Sequence, residues 1–90
     1  MANSKSAIKR LRSADRRKLR NRIYRGRART AVKKARHLIN KGQVEQAREA
    51  VHTAVVALDK AAQKGIIRKN NAARRKSRLM QQFNQVERAS

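Results

Sequence analysis

Apolar side chains recur along the middle of the chain at Val44, Ala47, Val51, Ala54, Val55, Leu58, Ala61 and Ala62. Steps of three and four place all of them on one face of a helix. A stripe of the same spacing precedes it, at Ala28, Ala31, Val32, Ala35, Leu38 and Ile39. Another follows, at Ala72, Ala73, Leu79, Met80, Phe83 and Val86. Asn40-Lys41-Gly42 separates the first stripe from the second, with Gly42 free to turn left-handed after a helix end. Lys64-Gly65 ends the second, Ile66-Ile67 form a short connection, and Asn70 or Asn71 can cap the third helix. The pattern predicts helices over about 6–39, 43–63 and from 70 or 71 onward. Their core is expected to be Val32, Leu38, Ile39, Val44, Val51, Val55, Leu58, Ile67, Leu79, Met80, Phe83 and Val86. The fold class is all-α, a three-helix bundle.

The first helix is too long for that bundle. Some 34 residues span about 50 Å, whereas helices of about 20 residues span about 30 Å. Its N-terminal half also lacks a packing stripe. Only Ile8, Leu11, Leu19 and Ile23 are large and apolar between positions 5 and 29, among twelve Lys and Arg. Residues 1–27 are therefore expected to project as a basic helix from a bundle formed by residues 28–87. Like charges stand four apart at Lys5–Lys9, Arg12–Arg16, Arg16–Arg20, Lys18–Arg22 and Arg25–Arg29. Each pair opposes an isolated helix by roughly 0.2–0.5 kcal/mol. Asp15 is expected to relieve this through Arg12 and Lys18.

Composition sharpens the picture. Lys and Arg number 26 against 5 Asp and Glu in 90 residues, a net charge of +21. Residues 1–36 hold +14, residues 37–63 are neutral, and residues 64–90 hold +7. Such a charge calls for a polyanion, because self-repulsion opposes compaction. Without Cys, disulfides and thiolate chemistry are excluded. His37 and His52 stand far apart with no clustered carboxylates, so neither a metal site nor catalysis is expected, and no cofactor. The longest apolar run, residues 54–58, is far short of the ~20 residues that cross a bilayer. The chain reads as cytosolic, without a membrane partner or a small-molecule substrate.

Cations on several faces of the projecting helix suit insertion between strands of a folded RNA. Arg presents a fork of donors to phosphate oxygens, and Lys a point charge. The candidate RNA-binding residues there are Lys5, Lys9, Arg10, Arg12, Arg16, Arg17, Lys18, Arg20, Asn21, Arg22, Arg25 and Arg27. A second cluster opens the third helix, where the helix dipole favours an anion. It comprises Lys64, Lys69, Asn70, Arg74, Arg75, Lys76, Ser77 and Arg78, with Arg68 beside them. Aromatic stacking is nearly absent: Phe83 falls on a core stripe, and Tyr24 either stacks on a base or packs at the root of the projection. The chain thus reads backbone shape rather than splayed bases. Glu45 and Glu49 are expected at the surface or beside Arg48, and Asp59 is expected to meet a cation across the bundle.

Specific strings then carry a resemblance. Met1-Ala2-Asn3, Lys5-Ser6-Ala7-Ile8-Lys9-Arg10, Arg16-Arg17 and Leu19-Arg20-Asn21 resemble the start of the bacterial small-subunit ribosomal protein numbered twenty. The run Leu58-Asp59-Lys60-Ala61-Ala62, Lys64-Gly65, Ile67, Lys69-Asn70, Ala72-Ala73-Arg74 and Lys76-Ser77-Arg78-Leu79 resembles that family still more specifically. Tyr24, Gly26, Arg68 and Asn71 depart from its usual pattern. The resemblance implies a three-helix bundle with an extended first helix. It also implies a primary binder of 16S ribosomal RNA, at the 5′ domain and the long helix near the 3′ end, that assists 30S subunit assembly among the other subunit components. An architectural, nucleoid-type DNA-binding protein is the alternative on composition, and a cationic membrane-active peptide a more distant one.

The charge crowding yields a prediction. The projecting half frays in water and becomes ordered on a polyanion, so circular dichroism should record a gain of helix when cognate RNA is added. No gain would count against an RNA-ordered projection.

Overall fold

The computed structural model describes residues 4–89. Three helices follow in order: α1 over Lys5–Asn40, α2 over Val44–Gln63 and α3 over Lys69–Ala89. The Met1-Ala2-Asn3 string lies outside the described residues. α1 begins at Lys5, slightly earlier than expected, because Ser4 caps it: the Ser4 Oγ accepts the Ala7 N–H at 3.2 Å. That hydroxyl satisfies one of the donors a helix start leaves open.

Both interhelical turns have the same construction. At the end of α1 the Gly42 N–H donates to the Ile39 carbonyl and the Gln43 N–H to the Leu38 carbonyl. After α2 the Gly65 N–H donates to the Ala62 carbonyl and the Ile66 N–H to the Ala61 carbonyl. These are the paired bonds of a Schellman cap, which requires a left-handed residue just beyond the helix. Gly42 and Gly65 supply it, each at φ 74°. Both stops were legible from the glycines alone.

The end of the second cap also explains two departures from expectation. Ile66 folds back over the end of α2 and is buried, so it belongs to the core rather than to a simple connection. α3 then begins at Lys69, with the Ala72 N–H bonded to the Arg68 carbonyl at 3.0 Å. Asn70 and Asn71 therefore lie inside the first turn and do not cap it.

The core is small and built for close approach. Of its fourteen buried apolar residues, seven are alanines, and Ala35, Ala47, Ala54 and Ala61 are completely enclosed. Leu58 and Leu79 are the largest side chains fully out of water. Val32, Ile39, Val51 and Phe83 join them as expected. Leu38, Val44, Val55, Ile67 and Val86 pack against the cluster from a half-buried position. Met80 does not belong: it is 43% exposed. Its stripe neighbours Leu79 and Phe83 take the inward position, and α1 and α2 offer α3 only a narrow apolar face.

Burial on α1 starts at Ala28 and recurs at Val32, Ala35 and Ile39. Ile8, Leu11, Leu19 and Ile23 are all exposed, and the molecule measures 63 × 21 × 14 Å. A 36-residue helix spans about 54 Å, far beyond the roughly 30 Å of α2 or α3. The excess has nothing to lie on and forms an arm. α1 runs through Gly26 without a break. Among the described residues Asp15 forms no ion pair, so the relief expected from Arg12 and Lys18 is not realised. Each long exposed side chain loses more entropy in such a pair than a fully solvated contact returns.

Two glycines should respond oppositely to alanine. Gly65→Ala forces a Cβ into a left-handed residue and should cost about 1–2 kcal/mol. Gly26→Ala meets no atom within 4 Å in ordinary helix and should stabilise by up to about 1 kcal/mol. Thermal denaturation checks both signs.

Candidate nucleic-acid interface

The arm carries its cations on a helical ladder of 100° steps. Arg12, Arg16 and Arg20 lie along one side, Arg10 and Arg17 along another, and Lys18 and Arg22 along a third. Lys5 and Lys9 extend the first row to the tip. Every one of these side chains is exposed, and Asn21 is half-buried. None forms an ion pair among the described residues. Charge therefore faces outward around the whole circumference of the arm.

The root of the arm is fastened to the turn between α2 and α3. The Arg25 guanidinium donates to the Ile66 carbonyl at 3.3 Å, across 41 residues of sequence. One step earlier, Tyr24 is half-buried between two cations. Lys64 Nζ stands 5.0 Å from its ring centroid and the Arg27 guanidinium carbon 5.6 Å. The ring face is electron-rich and attracts both. Tyr24 thus packs at the root of the arm, the second of its two sequence alternatives. The ring bridges a cation of the arm to one that ends α2.

This fastening unites the two basic clusters that the sequence separates. Lys69, Asn70, Arg74, Arg75, Ser77 and Arg78 are exposed on the first half of α3, beyond the turn that Arg25 holds. Lys69 stands in the first turn, which contains no acidic residue. The positive end of the helix dipole is left uncompensated there. Lys76 differs from its neighbours. It is half-buried and its Nζ lies 2.7 Å from Asp59 Oδ1, tying α3 to α2. That is the cross-bundle pair expected for Asp59, and it engages one of the candidate RNA-binding cations in the protein's own structure.

Glu45 and Glu87 meet at the opposite end, around Arg48. Arg48 reaches Glu87 at 3.0 Å and Glu45 at 3.6 Å. The hydrogen bond that Arg48 donates to Glu87, and then the charge of Glu45, raises the Arg48 pKa above its ordinary value. Arg48 also covers the Phe83 ring at 6.0 Å. Acid and base are thus segregated: paired charge links α2 to α3, while unpaired cation covers the arm and the start of α3. Arg29, Lys33, Lys34 and Arg36 are exposed too, although sequence reading had not placed them in an interface. The apolar stripe that they flank had marked this part of α1 as packing surface. No helix among the described residues is long and apolar enough to cross a membrane.

A small helical bundle with an uncompensated cationic arm is the architecture of a polyanion-engaging protein, and comparison with known sequences makes this particular. A family model described as Ribosomal protein S20 matches residues 2–84. The small ribosomal subunit protein bS20 of Thermomicrobium roseum is 54% identical over 89 residues, covering 99% of this chain and 90% of the relative. That of a Roseiflexus species is also 54% identical, over 90 residues, covering 100% and 98%. That of Dictyoglomus thermophilum is 45% identical over 85 residues, covering 94% and 91%. The chain belongs to the ribosomal protein S20 family.

The Tyr24 clasp is open to direct measurement. Tyr24→Phe keeps the ring and should melt with the wild-type chain. Tyr24→Leu keeps apolar bulk without a π face and should lose about 0.5–1 kcal/mol. That corresponds to a fall of roughly 2–8 °C in Tm for a domain of this size. Equal melting of all three proteins would show that the ring holds neither cation.

Proposed function

We propose that the chain is a structural constituent of the small ribosomal subunit that binds 16S ribosomal RNA by its phosphate backbone and shape. The observation that carries this reading is the arm: an exposed helix with cations on every side and no paired carboxylate, on a chain of the S20 family. A duplex surface would use one face of such a rod. Cations around the circumference are used when the rod lies between strands of a folded RNA, with Arg forks on phosphates at several azimuths.

Residues 1–27 then act as the inserted arm and residues 28–87 as the bundle that anchors it. Lys5, Lys9, Arg10, Arg12, Arg16, Arg17, Lys18, Arg20, Asn21 and Arg22 contact RNA along the arm. Lys64, Lys69, Asn70, Arg74, Arg75, Ser77 and Arg78 contact it beside the turn. Arg25, Arg27, Lys64 and Lys76 have a double role, since each is also held by its own chain. The sites on RNA are the 5′ domain and the long helix near the 3′ end, and binding assists subunit assembly. The protein works in the cytoplasm on the ribosome, among the other 30S components, and has no enzymatic activity of its own.

Salt and competition test this reading. With about ten phosphates neutralised, log K for protein-free 16S RNA should fall against log salt with a slope near −7 to −9. Excess duplex DNA at moderate salt should leave that binding largely intact, and footprinting should return discrete protected sites. Equal affinity for random duplexes would favour an architectural DNA-binding protein instead.

A further inference from the structure

Residues of α1 and α3 line a groove along one side of the bundle. Its two walls carry cations in register with their helices. On α1, Arg29, Lys33 and Arg36 follow one another at steps of four and three. On α3, Arg75 and Arg78 face them. At the end nearest the turn, Arg25 and Arg68 continue the two rows. The floor is Ala28, Val32 and Ile66, all buried. His37 and Asn40 line the far end.

Among the described residues no carboxylate lines the groove. The ion pairs among the described residues run from Arg48 to Glu45 and Glu87 and from Lys76 to Asp59, and none involves a cation of either wall. Opposed cations in a concavity repel one another more than cations on a convex rod, because each faces the others across a short gap. A structure that draws them together in this way is relieved only by an anion from outside.

We propose that the α1–α3 groove is a second binding site, for the sugar–phosphate backbone of a single RNA strand, with Arg29, Lys33 and Arg36 as its α1 wall. The site rests on the RNA-binding reading above and extends it to a part of α1 that lies beyond the arm. From Arg25 to Arg36 the groove runs about 17 Å, long enough for several consecutive phosphates of one strand. A whole duplex is too broad to enter a cleft between two packed helices, but one strand's phosphate ridge is not. Guanidinium groups on both walls match phosphate oxygens. An acidic polypeptide would need an exposed apolar anchor, and the floor side chains Val32 and Ile66 are only 8% and 7% exposed.

The test uses the full chain and protein-free 16S RNA. A variant with Arg29→Gln, Lys33→Gln and Arg36→Gln removes three phosphate contacts without touching the arm. Its salt slope should be shallower by about 2–3 units, and its affinity about 100-fold lower at 0.1 M salt if the 1 M affinity is unchanged. Lys33→Gln alone, a single exposed change, should lower the slope by about 0.7–0.9 and keeps the test readable if the triple variant melts early. Unchanged slopes in both variants, with wild-type binding intact, overturn the groove and leave the arm's role standing. A wild-type chain that fails to bind 16S RNA overturns both. Displacement of the RNA from the wild-type chain by polyglutamate at equal charge, but not from the triple variant, would assign the groove to acidic polypeptide and overturn its assignment to RNA.

Discussion

Mutual repulsion among 26 cations is the constraint that every other feature of this molecule answers. Against it stands a core of fourteen buried residues, half of them alanine. Alanine buries little apolar area per side chain, so the hydrophobic contribution is modest. It does let helices approach closely, and it keeps Leu58 and Leu79 in contact with all their neighbours. The scarce carboxylates are placed where they help the core most. Glu45 and Glu87 meet Arg48, and Asp59 meets Lys76, so the charged contacts reinforce the junction of α2 with α3. These pairs are partly exposed, and each contributes well under the cost of losing one buried leucine.

That distribution leaves α1 without acidic relief over nearly its whole length. Its C-terminal half can bear this because Ala28, Val32, Ala35 and Ile39 are held by the bundle. Its N-terminal half has no such support. The arm keeps a defined direction at its root through contacts that need no carboxylate at all. A backbone carbonyl takes the Arg25 guanidinium, and the Tyr24 ring takes Lys64 and Arg27. Neutral acceptors serve well here: they hold cations in place while leaving the charge uncancelled for an external anion.

Segregation of charge therefore has a functional consequence as well as a structural one. Paired charge sits at the α2–α3 junction, and unpaired charge on the arm, at the start of α3 and along the cleft between α1 and α3. RNA bound to those surfaces would complete the electrostatics that the protein leaves unfinished. In the proposed function, folding of the arm and recognition of RNA would be two aspects of one balance, with ordering of the helix favoured by the phosphates that it would contact.

Much of this was legible in particular residues. Gly42 and Gly65 mark the two left-handed caps because no other residue type adopts that conformation as cheaply. The spacing of Val51, Ala54, Leu58 and Ala61 orients α2, and the bare count of residues before Ala28 requires an arm. The errors came where several side chains compete for one position. Met80 shares a stripe with Leu79 and Phe83, and a periodicity cannot say which of three apolar residues a narrow interface admits. Ile66 looked like linker because its burial depends on the chain folding back over α2. The sequence by itself determined three helices, their stops and a surplus of cation, since these follow from local geometry and counting. Only the tertiary structure decided which cations pair, that Tyr24 clasps Lys64 across the turn, and that Arg29 and Arg75 face each other across one cleft. Those outcomes depend on distances between segments some 40 residues apart, which packing alone sets.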